Sequence, residues 1–219
     1  MSDSDDELTD TAFRERVLHL AGTAGVALSG EQLAKLARYF NVLRRWNRAI
    51  NLTALPLEKP PDRTFSRLFI EPLQAAPYVA EGPPLEWFDL GSGGGSPAIP
   101  LKVARPDARL TMVESRSRKA AFLREVSSLL SLTDTRVLAI RIEALLDHAQ
   151  PGHVDLITAR AVRVEGGLVR TAATLLRPHG RLLLFGSRSL REGDHGLQLV
   201  DRVALFGGDS PLQVLRKMG

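Results

Sequence analysis

The sequence predicts an α/β fold: a doubly wound, mostly parallel sheet of seven strands, an antiparallel hairpin at the sheet edge and an N-terminal helical extension. From residue 85 onward, short apolar runs alternate with amphipathic stretches. This alternation is typical of parallel strands joined by right-handed helical crossovers. The last two apolar runs are separated by the short segment Gly207-Gly-Asp-Ser-Pro, which favours a hairpin.

The chain divides into a predicted helical extension at residues 1–82 and a predicted sheet domain at residues 83–219. Gly82-Pro83-Pro84 has the composition of a linker and marks the boundary.

Three helices are predicted in the extension. Residues 7–27 have apolar residues on one helical face. Ser29 is a candidate N-cap of the second helix, because Gln32 stands three residues later and completes a capping box. The third helix is predicted at 64–71, where Pro72 interrupts it.

The sheet domain alternates strands and helices throughout its length. Strands are predicted at 85–90, 109–114, 135–139, 154–158, 181–185, 198–205 and 212–215. Helices are predicted at 97–104, 116–130, 143–148 and 165–176.

The composition is that of a globular protein, with 44% hydrophobic and 25% charged residues. No apolar run approaches the roughly 18 residues that a membrane helix needs. The N-terminus lacks the basic and apolar regions of a signal peptide. The absence of cysteine excludes disulfides and thiolate metal sites. We therefore expect a cytoplasmic protein without a membrane partner.

Positive charge is concentrated away from the N-terminus. Five of the 25 acids lie in residues 1–10, which hold no Lys or Arg, so that 20 acids face 29 bases in the rest of the chain. Such a balance either favours polyanionic partners or reflects a genome whose composition favours arginine codons. One face of the second helix carries Lys35, Arg38, Arg44, Arg45 and Arg48. Such a face is more often only a solvated surface. The nearby Tyr39 and Trp46 add weight to the alternative, a nucleic-acid contact.

A glycine-rich loop follows the first predicted strand. Gly91, Gly93, Gly94 and Gly95 let the backbone turn with positive φ and approach a ligand closely. A helix entered through Pro97 then directs its N-terminal amides at the loop. A strand, glycine loop and helix in this order predict a nucleotide-type site at the carboxyl end of the strand. The dinucleotide fingerprint fails because Ser96 stands where its third glycine belongs.

Two acids flank this loop. Asp89 precedes the first glycine, and Glu114 ends the next strand 21 residues after Gly93. This is near the spacing at which a carboxylate meets ribose hydroxyls. Asp89 could instead cap the loop, and Glu114 could cap the following helix.

Five motifs occur in the order and spacing of one family. They are Asn51-Leu-Thr-Ala, residues 89–101 from Asp-Leu-Gly-Ser-Gly to Pro-Leu, residues 113–123 from Val-Glu-Ser to Phe-Leu, Arg141-Ile-Glu and Thr158-Ala-Arg-Ala-Val. The chain thereby resembles the small-subunit (16S) ribosomal RNA guanine-N7 methyltransferases, also called glucose-inhibited division protein B. The resemblance covers roughly residues 30–190.

The resemblance implies a class I methyltransferase fold that binds S-adenosylmethionine. The cofactor-binding residues it implies are Asp89, Gly91, Ser92, Gly93, Gly95, Pro97, Glu114, Ser115, Ile142, Glu143 and Arg160. It further implies that Arg160 borders the methyl-transfer site as a catalytic residue, although this arginine could instead form an ion pair or cap a helix. The implied partner is ribosomal RNA or the small ribosomal subunit, and we expect a monomer.

No general base is required, because guanine N7 in RNA already carries an unprotonated lone pair. Alignment and desolvation would supply the catalysis. The five histidines have no metal-ligand spacing, so we expect no metal site.

The sequence departs from the family pattern at three places. Ser96 and Ala98 replace a phenylalanine and a glycine, Leu68 to Pro72 replaces a His-x-x-Asp-Ser segment, and Phe185 replaces a lysine. Two alternatives therefore stay open: a methyltransferase with a small-molecule or protein acceptor, and a degenerate relative that binds RNA or cofactor without turnover.

Overall fold

A computed structural model describes residues 9–79, 85–160, 166–186, 194–207 and 211–219. The acidic N-terminal residues, the predicted linker at Gly82-Pro83-Pro84 and the predicted helix start at Glu165 lie outside these ranges. The division into domains stays a prediction.

The sheet has seven strands in the order β3-β2-β1-β4-β5-β7-β6. The strands are β1 (Glu86–Leu90), β2 (Arg109–Val113), β3 (Thr135–Leu138), β4 (Val154–Arg160), β5 (Leu176–Phe185), β6 (Leu197–Val203) and β7 (Leu212–Lys217). The first five pair in parallel, whereas β7 is antiparallel to both β5 and β6. The predicted mixed sheet with an antiparallel edge hairpin is therefore confirmed.

Helices cover both faces of the sheet. The α-helices are α1 (Asp10–Thr23), α2 (Gly30–Asn47), α3 (Asp62–Phe65), α4 (Glu71–Gln74), α5 (Ala98–Ala104), α6 (Ser117–Leu129) and α7 (Gly166–Leu175). A π turn at Ser66–Ile70 joins α3 to α4, and 3₁₀ turns lie at Ala76–Tyr78, Ile142–Asp147 and Asp194–Gly196. The predicted capping box of α2 is present, with Ser29 and Gln32 bonded reciprocally.

The prediction that Pro72 interrupts the third helix is wrong. The helical path runs from α3 through the π turn into α4, and Pro72 lies within the first turn of α4. Proline is tolerated in a first turn because the amide it lacks has no partner within that α segment. The path ends at Gln74, before Pro77.

Strand β5 is longer than predicted. It starts at Leu176, which pairs with Val154, and the next pair along β4 is Leu156 with Arg181. Residues between these pairs bulge away from the ladder, and His179 has a positive φ of 66°. The segment Pro178-His-Gly, between the predicted helix at 165–176 and the predicted strand at 181–185, is thus an excursion within the strand.

The side chains of β1 alternate between two cores. Trp87 belongs to the core beneath the N-terminal helices, whereas Phe88 and Leu90 belong to the core beneath α7. The first core also contains a cluster of aromatic rings, with centroids 5.1–6.5 Å apart, formed by Phe13, Phe40, Phe65 and Phe69. The helical extension thus packs directly on one sheet face. Asp89 stands two residues after Trp87 in β1, so its side chain points to this same face.

The basic face of α2 is largely occupied by ion pairs. Arg44 is buried and donates to Glu58 at 2.9 Å, Arg48 also pairs with Glu58, and Arg45 pairs with Glu125. Arg48 and Arg44 hold the pKa of Glu58 at about 2, well below its ordinary value.

The two aromatic residues do not lie on an exposed RNA-binding face, which corrects the argument drawn from them. Tyr39 is fully buried, and the indole of half-buried Trp46 donates to Glu125 at 3.0 Å. Separately, none of the helices in the described ranges has the length and apolarity to cross a membrane.

Candidate functional site

A cleft of about 900 Å³ opens at the carboxyl ends of β1, β2 and β4. Its walls come from the glycine loop, the ends of these strands, the segment after β3, and the helical extension. This is the position at which open α/β sheets bind ligands. Its size lies within the range of small-molecule sites.

Eight of the predicted site residues line this cleft. They are Gly91, Ser92, Gly93, Glu114, Ser115, Ile142, Glu143 and Arg160. Asp89, Gly95 and Pro97 are not among the residues that line it. The structure therefore brings most of the predicted constellation together at the cleft and leaves these three outside its lining.

Glu114 joins the loop to the next helix. One carboxylate oxygen accepts from the amide of Gly93 at 3.0 Å, and the other accepts from the amide of Arg116 at 2.8 Å. Arg116 is the N-cap residue of α6, so Glu114 also contacts the start of that helix. Each carboxylate oxygen has a second lone pair. The carboxylate is thus fixed in the cleft wall with capacity for additional donors.

Asp89 is almost completely buried beneath the loop. Its Oδ1 accepts from the hydroxyl of Thr158, which in turn accepts from the indole of Trp87 at 2.9 Å. Its Oδ2 is buried with no hydrogen-bond partner in the described structure. Burial raises the pKa of Asp89 from 3.8 to about 6, although the hydrogen bonds and the Arg160 guanidinium act in the opposite direction.

This pKa predicts how stability changes with pH. Because the folded value exceeds the unfolded one, the stabilisation from protonated Asp89 is complete below about pH 4 and is lost as pH rises through about 6. Asp89→Asn keeps an oxygen acceptor for Thr158 but cannot ionise. Its free energy of unfolding relative to wild type should therefore rise by about 2 kcal/mol between pH 4 and pH 7. Urea unfolding of both proteins at the two pH values measures this, and a constant difference would contradict the burial argument.

Gly95 closes the loop against the helical extension. Its amide donates to Ser92 at 2.7 Å, and its φ of +90° lies in the region that favours glycine. The hydroxyl of Tyr39 donates to the carbonyl of the neighbouring Gly94 at 2.6 Å. A buried helix side chain thereby fixes the loop from outside the cleft.

Gly95→Ala should destabilise the fold strongly, since the added Cβ would lie 2.9 Å from Ile99 Cγ1. Gly152→Ala is a matched control, because Gly152 also has a positive φ of 70° but nothing within 4 Å of a Cβ. We expect Gly95→Ala to cost about 1–3 kcal/mol more than the control. Denaturant unfolding measures the difference, and equal costs would show that the loop accommodates the methyl group.

Arg160 ends β4 with its guanidinium in the cleft wall. Its Nη1 donates to Glu71 at 2.6 Å, and the group lies 4.7 Å from the ring centre of Phe185, its partner across the β4–β5 ladder. Side-chain exposure is 10% for Arg160 and 3% for Glu71. Its Nε and Nη2 are buried without partners in the described structure, and burial lowers the pKa of this arginine. The ion-pair alternative is thus realised at the edge of the cleft.

Sequence reasoning missed the part of the cleft formed by the extension. Leu52 and Thr53 line it, and both of their amides donate to the side-chain oxygen of Asn47, at 2.9 and 3.0 Å. Arg67 and Leu68 line it as well. The Asn51-Leu-Thr-Ala motif was the available signal, but a motif in the extension does not by itself show that its residues lie beside the glycine loop.

Known proteins resemble this chain over most of its length. Residues 32–197 match the family described as GidB, rRNA small subunit methyltransferase G. A Stenotrophomonas maltophilia protein named ribosomal RNA small subunit methyltransferase G is 42% identical over 162 residues, covering 74% of this chain and 72% of that protein. A Xanthomonas campestris protein of the same name is 37% identical over 193 residues, covering 88% of this chain and 85% of that protein.

Solved structures resemble the fold. A SAM-dependent methyltransferase from Aquifex aeolicus superposes with a TM-score of 0.55 at 12% identity, covering 81% of this chain and 97% of that one. A ribosomal protein L11 methylase from Lactobacillus delbrueckii gives 0.53 at 18% identity, covering 67% and 78%. At these identities the likeness establishes the class I methyltransferase fold alone. The family match and the identity to named relatives establish membership: the chain belongs to the GidB family of small-subunit ribosomal RNA methyltransferases.

Proposed function

We propose that this protein transfers a methyl group from S-adenosylmethionine to small-subunit ribosomal RNA, with N7 of a guanine as the acceptor atom. Family membership supports the reaction class. The single observation in the structure that carries the proposal is the cleft at the carboxyl ends of β1, β2 and β4. There the glycine loop and the fixed carboxylate of Glu114 face the same space as Arg160.

The residues present fit the cofactor chemically. S-adenosylmethionine carries ribose hydroxyls, an ammonium and a carboxylate. Glu114 has lone pairs left for hydroxyl donors. Asp89 and Arg160 hold buried polar atoms of opposite charge without partners, and such orphaned groups call for a water or a ligand. We assign the ribose hydroxyls to Glu114.

The cofactor supplies an electrophilic methyl group on a sulfonium. The protein's own residues bind, orient and exclude water. Glu114 would hold the ribose beside the glycine loop, while Arg160, held by Glu71, shapes the side of the cleft where the base would enter. A guanine N7 needs no proton removed, so this acceptor requires no general base from these residues. Orientation alone supplies a large rate factor in such reactions.

The rim of the cleft suits a polyanion. Arg116 and Arg141 are exposed at the rim, and Lys119 lines it half-buried. Cations at this position would contact phosphates flanking the target base. The proposal places the protein in the cytoplasm, as a monomer, with ribosomal RNA or the assembled small subunit as its partner.

The test compares acceptors. Radiolabelled S-adenosylmethionine is incubated with the protein and, separately, small ribosomal subunits, naked small-subunit RNA and a metabolite extract. We expect label in the RNA of one or both ribosomal acceptors and none in the extract. Label only in the extract would favour the small-molecule alternative. Binding of cofactor without any transfer would favour the degenerate one.

A further inference from the structure

The π turn beside the cleft is followed by Pro72, a residue that cannot donate a backbone hydrogen bond. Pro72 has no amide hydrogen. In α-helical register its amide would serve the carbonyl of Leu68, and in π register that of Arg67. The segment changes from π to α register at this point, as the amide of Glu71 donates to the carbonyl of Ser66.

Ser96 approaches both of these carbonyls. Its hydroxyl donates to Leu68 O at 3.0 Å and lies 3.5 Å from Arg67 O. Ser96 follows the glycine loop and lines the cleft, so this contact ties the loop to the helical extension. A side chain from a distant segment thus supplies the donor that proline removed.

The π turn that Ser96 contacts also contributes residues to the cleft and to the Arg160 ion pair. Arg67 and Leu68 line the cleft, and Glu71 immediately precedes Pro72. Glu71 is buried and holds Nη1 of Arg160 at 2.6 Å, while Nε of Arg67 lies 3.8 Å from its other oxygen. A shift of the π turn would therefore move the carboxylate that orients Arg160.

We propose that Ser96 and Glu71 are positioning residues for the methyl transfer: the Ser96 hydroxyl fixes the π turn at Pro72, and Glu71 at the end of that turn holds Arg160 in the cleft wall. This inference rests on the proposed function for its catalytic consequence. The tie itself is a property of the fold and has its own readout. The Ser96 hydroxyl supplies the hydrogen-bond donor that Pro72 lacks. Removing this hydroxyl should therefore cost less stability when Pro72 is also replaced by a residue with an amide hydrogen.

A double-mutant cycle in unfolding tests the tie. Ser96→Ala should raise the unfolding equilibrium constant about fivefold in the wild-type background, and less than about twofold in a Pro72→Ala background, where an amide hydrogen is restored. Ser127→Ala is the matched control, because its hydroxyl donates to the Leu123 carbonyl at 2.8 Å in α6, away from the cleft. Its effect should be equal in both backgrounds. Equal effects of Ser96→Ala in both backgrounds would overturn the tie.

Kinetics test the positioning role. Ser96→Ala should lower kcat for methyl transfer about tenfold, with the cofactor dissociation constant unchanged within about twofold. Ser96→Thr, which keeps the hydroxyl, and Ser96→Ala with Pro72→Ala should both recover most of kcat. Parallel losses of kcat and cofactor affinity, or no recovery, would overturn the role. If the wild-type protein transfers no methyl group to ribosomal RNA, the proposed function fails and the catalytic role fails with it, while the unfolding cycle still decides the tie.

Discussion

Replacing Arg160 with alanine should lower the turnover number for methyl transfer about 100-fold, since misplacement of a substrate by about 1 Å can cost this much. The guanidinium is fixed by Glu71 at 2.6 Å and by the ring of Phe185 at 4.7 Å. A guanidinium fixed at the edge of the cleft would orient the acceptor base that lies against it. Cofactor affinity should fall by a much smaller factor, which single-turnover kinetics and calorimetry measure separately.

Two variants keep this result interpretable. Arg160→Ala leaves the buried carboxylate of Glu71 unpaired, which destabilises the fold. The double variant Arg160→Met with Glu71→Gln removes both charges and should lose turnover while recovering stability. Arg181→Ala is a control from the adjacent strand β5, four residues before Phe185, where the side chain donates to the carbonyl of Tyr78 at 2.9 Å. Equal losses of turnover and cofactor affinity in the Arg160 variants would contradict the placement of this residue.

Glu114→Ala should weaken cofactor binding by about 1–3 kcal/mol, because charge-assisted hydrogen bonds to the ribose are lost. Part of any effect could come through the loop, since the carboxylate also accepts from the amides of Gly93 and Arg116. Glu114→Gln separates the two contributions. Its amide oxygen can replace only one of the two acceptors.

Calorimetry with S-adenosylmethionine measures this effect, with Glu86→Gln as the control. Glu86 lies at the opposite end of β1, half-exposed and paired with Arg109 at 3.1 Å. We expect the control to bind as wild type does. An unchanged dissociation constant in both Glu114 variants would contradict the assignment of the ribose to this carboxylate.

Local patterns predicted the sheet and the central part of the site. Strand alternation, the Ser29 capping box and the glycine loop each depend on residues close in sequence, so their physical signals are readable along the chain. Glu114 could be placed because the ends of adjacent parallel strands meet at one edge. The parallel order and the position of the cleft follow from the same rule.

Contacts between distant segments could not be predicted. Glu71 meets Arg160 across 89 residues, and Tyr39 meets Gly94 across 55. The arginines of α2 pair with Glu58 and Glu125. Neither acid stands at the three- or four-residue spacing by which helical ion pairs are recognised in a sequence. These contacts explain why a helix face that is charged in sequence forms ion pairs in the fold.

The identity of the methylated nucleoside tests the central claim most directly. Small subunits are treated with the protein and labelled S-adenosylmethionine. Their RNA is then digested to nucleosides, which are separated by chromatography and identified by mass spectrometry. The account predicts one label per particle, recovered as 7-methylguanosine and abolished by Glu114→Ala. Label on another nucleoside, or label that survives loss of the Glu114 carboxylate, would contradict it.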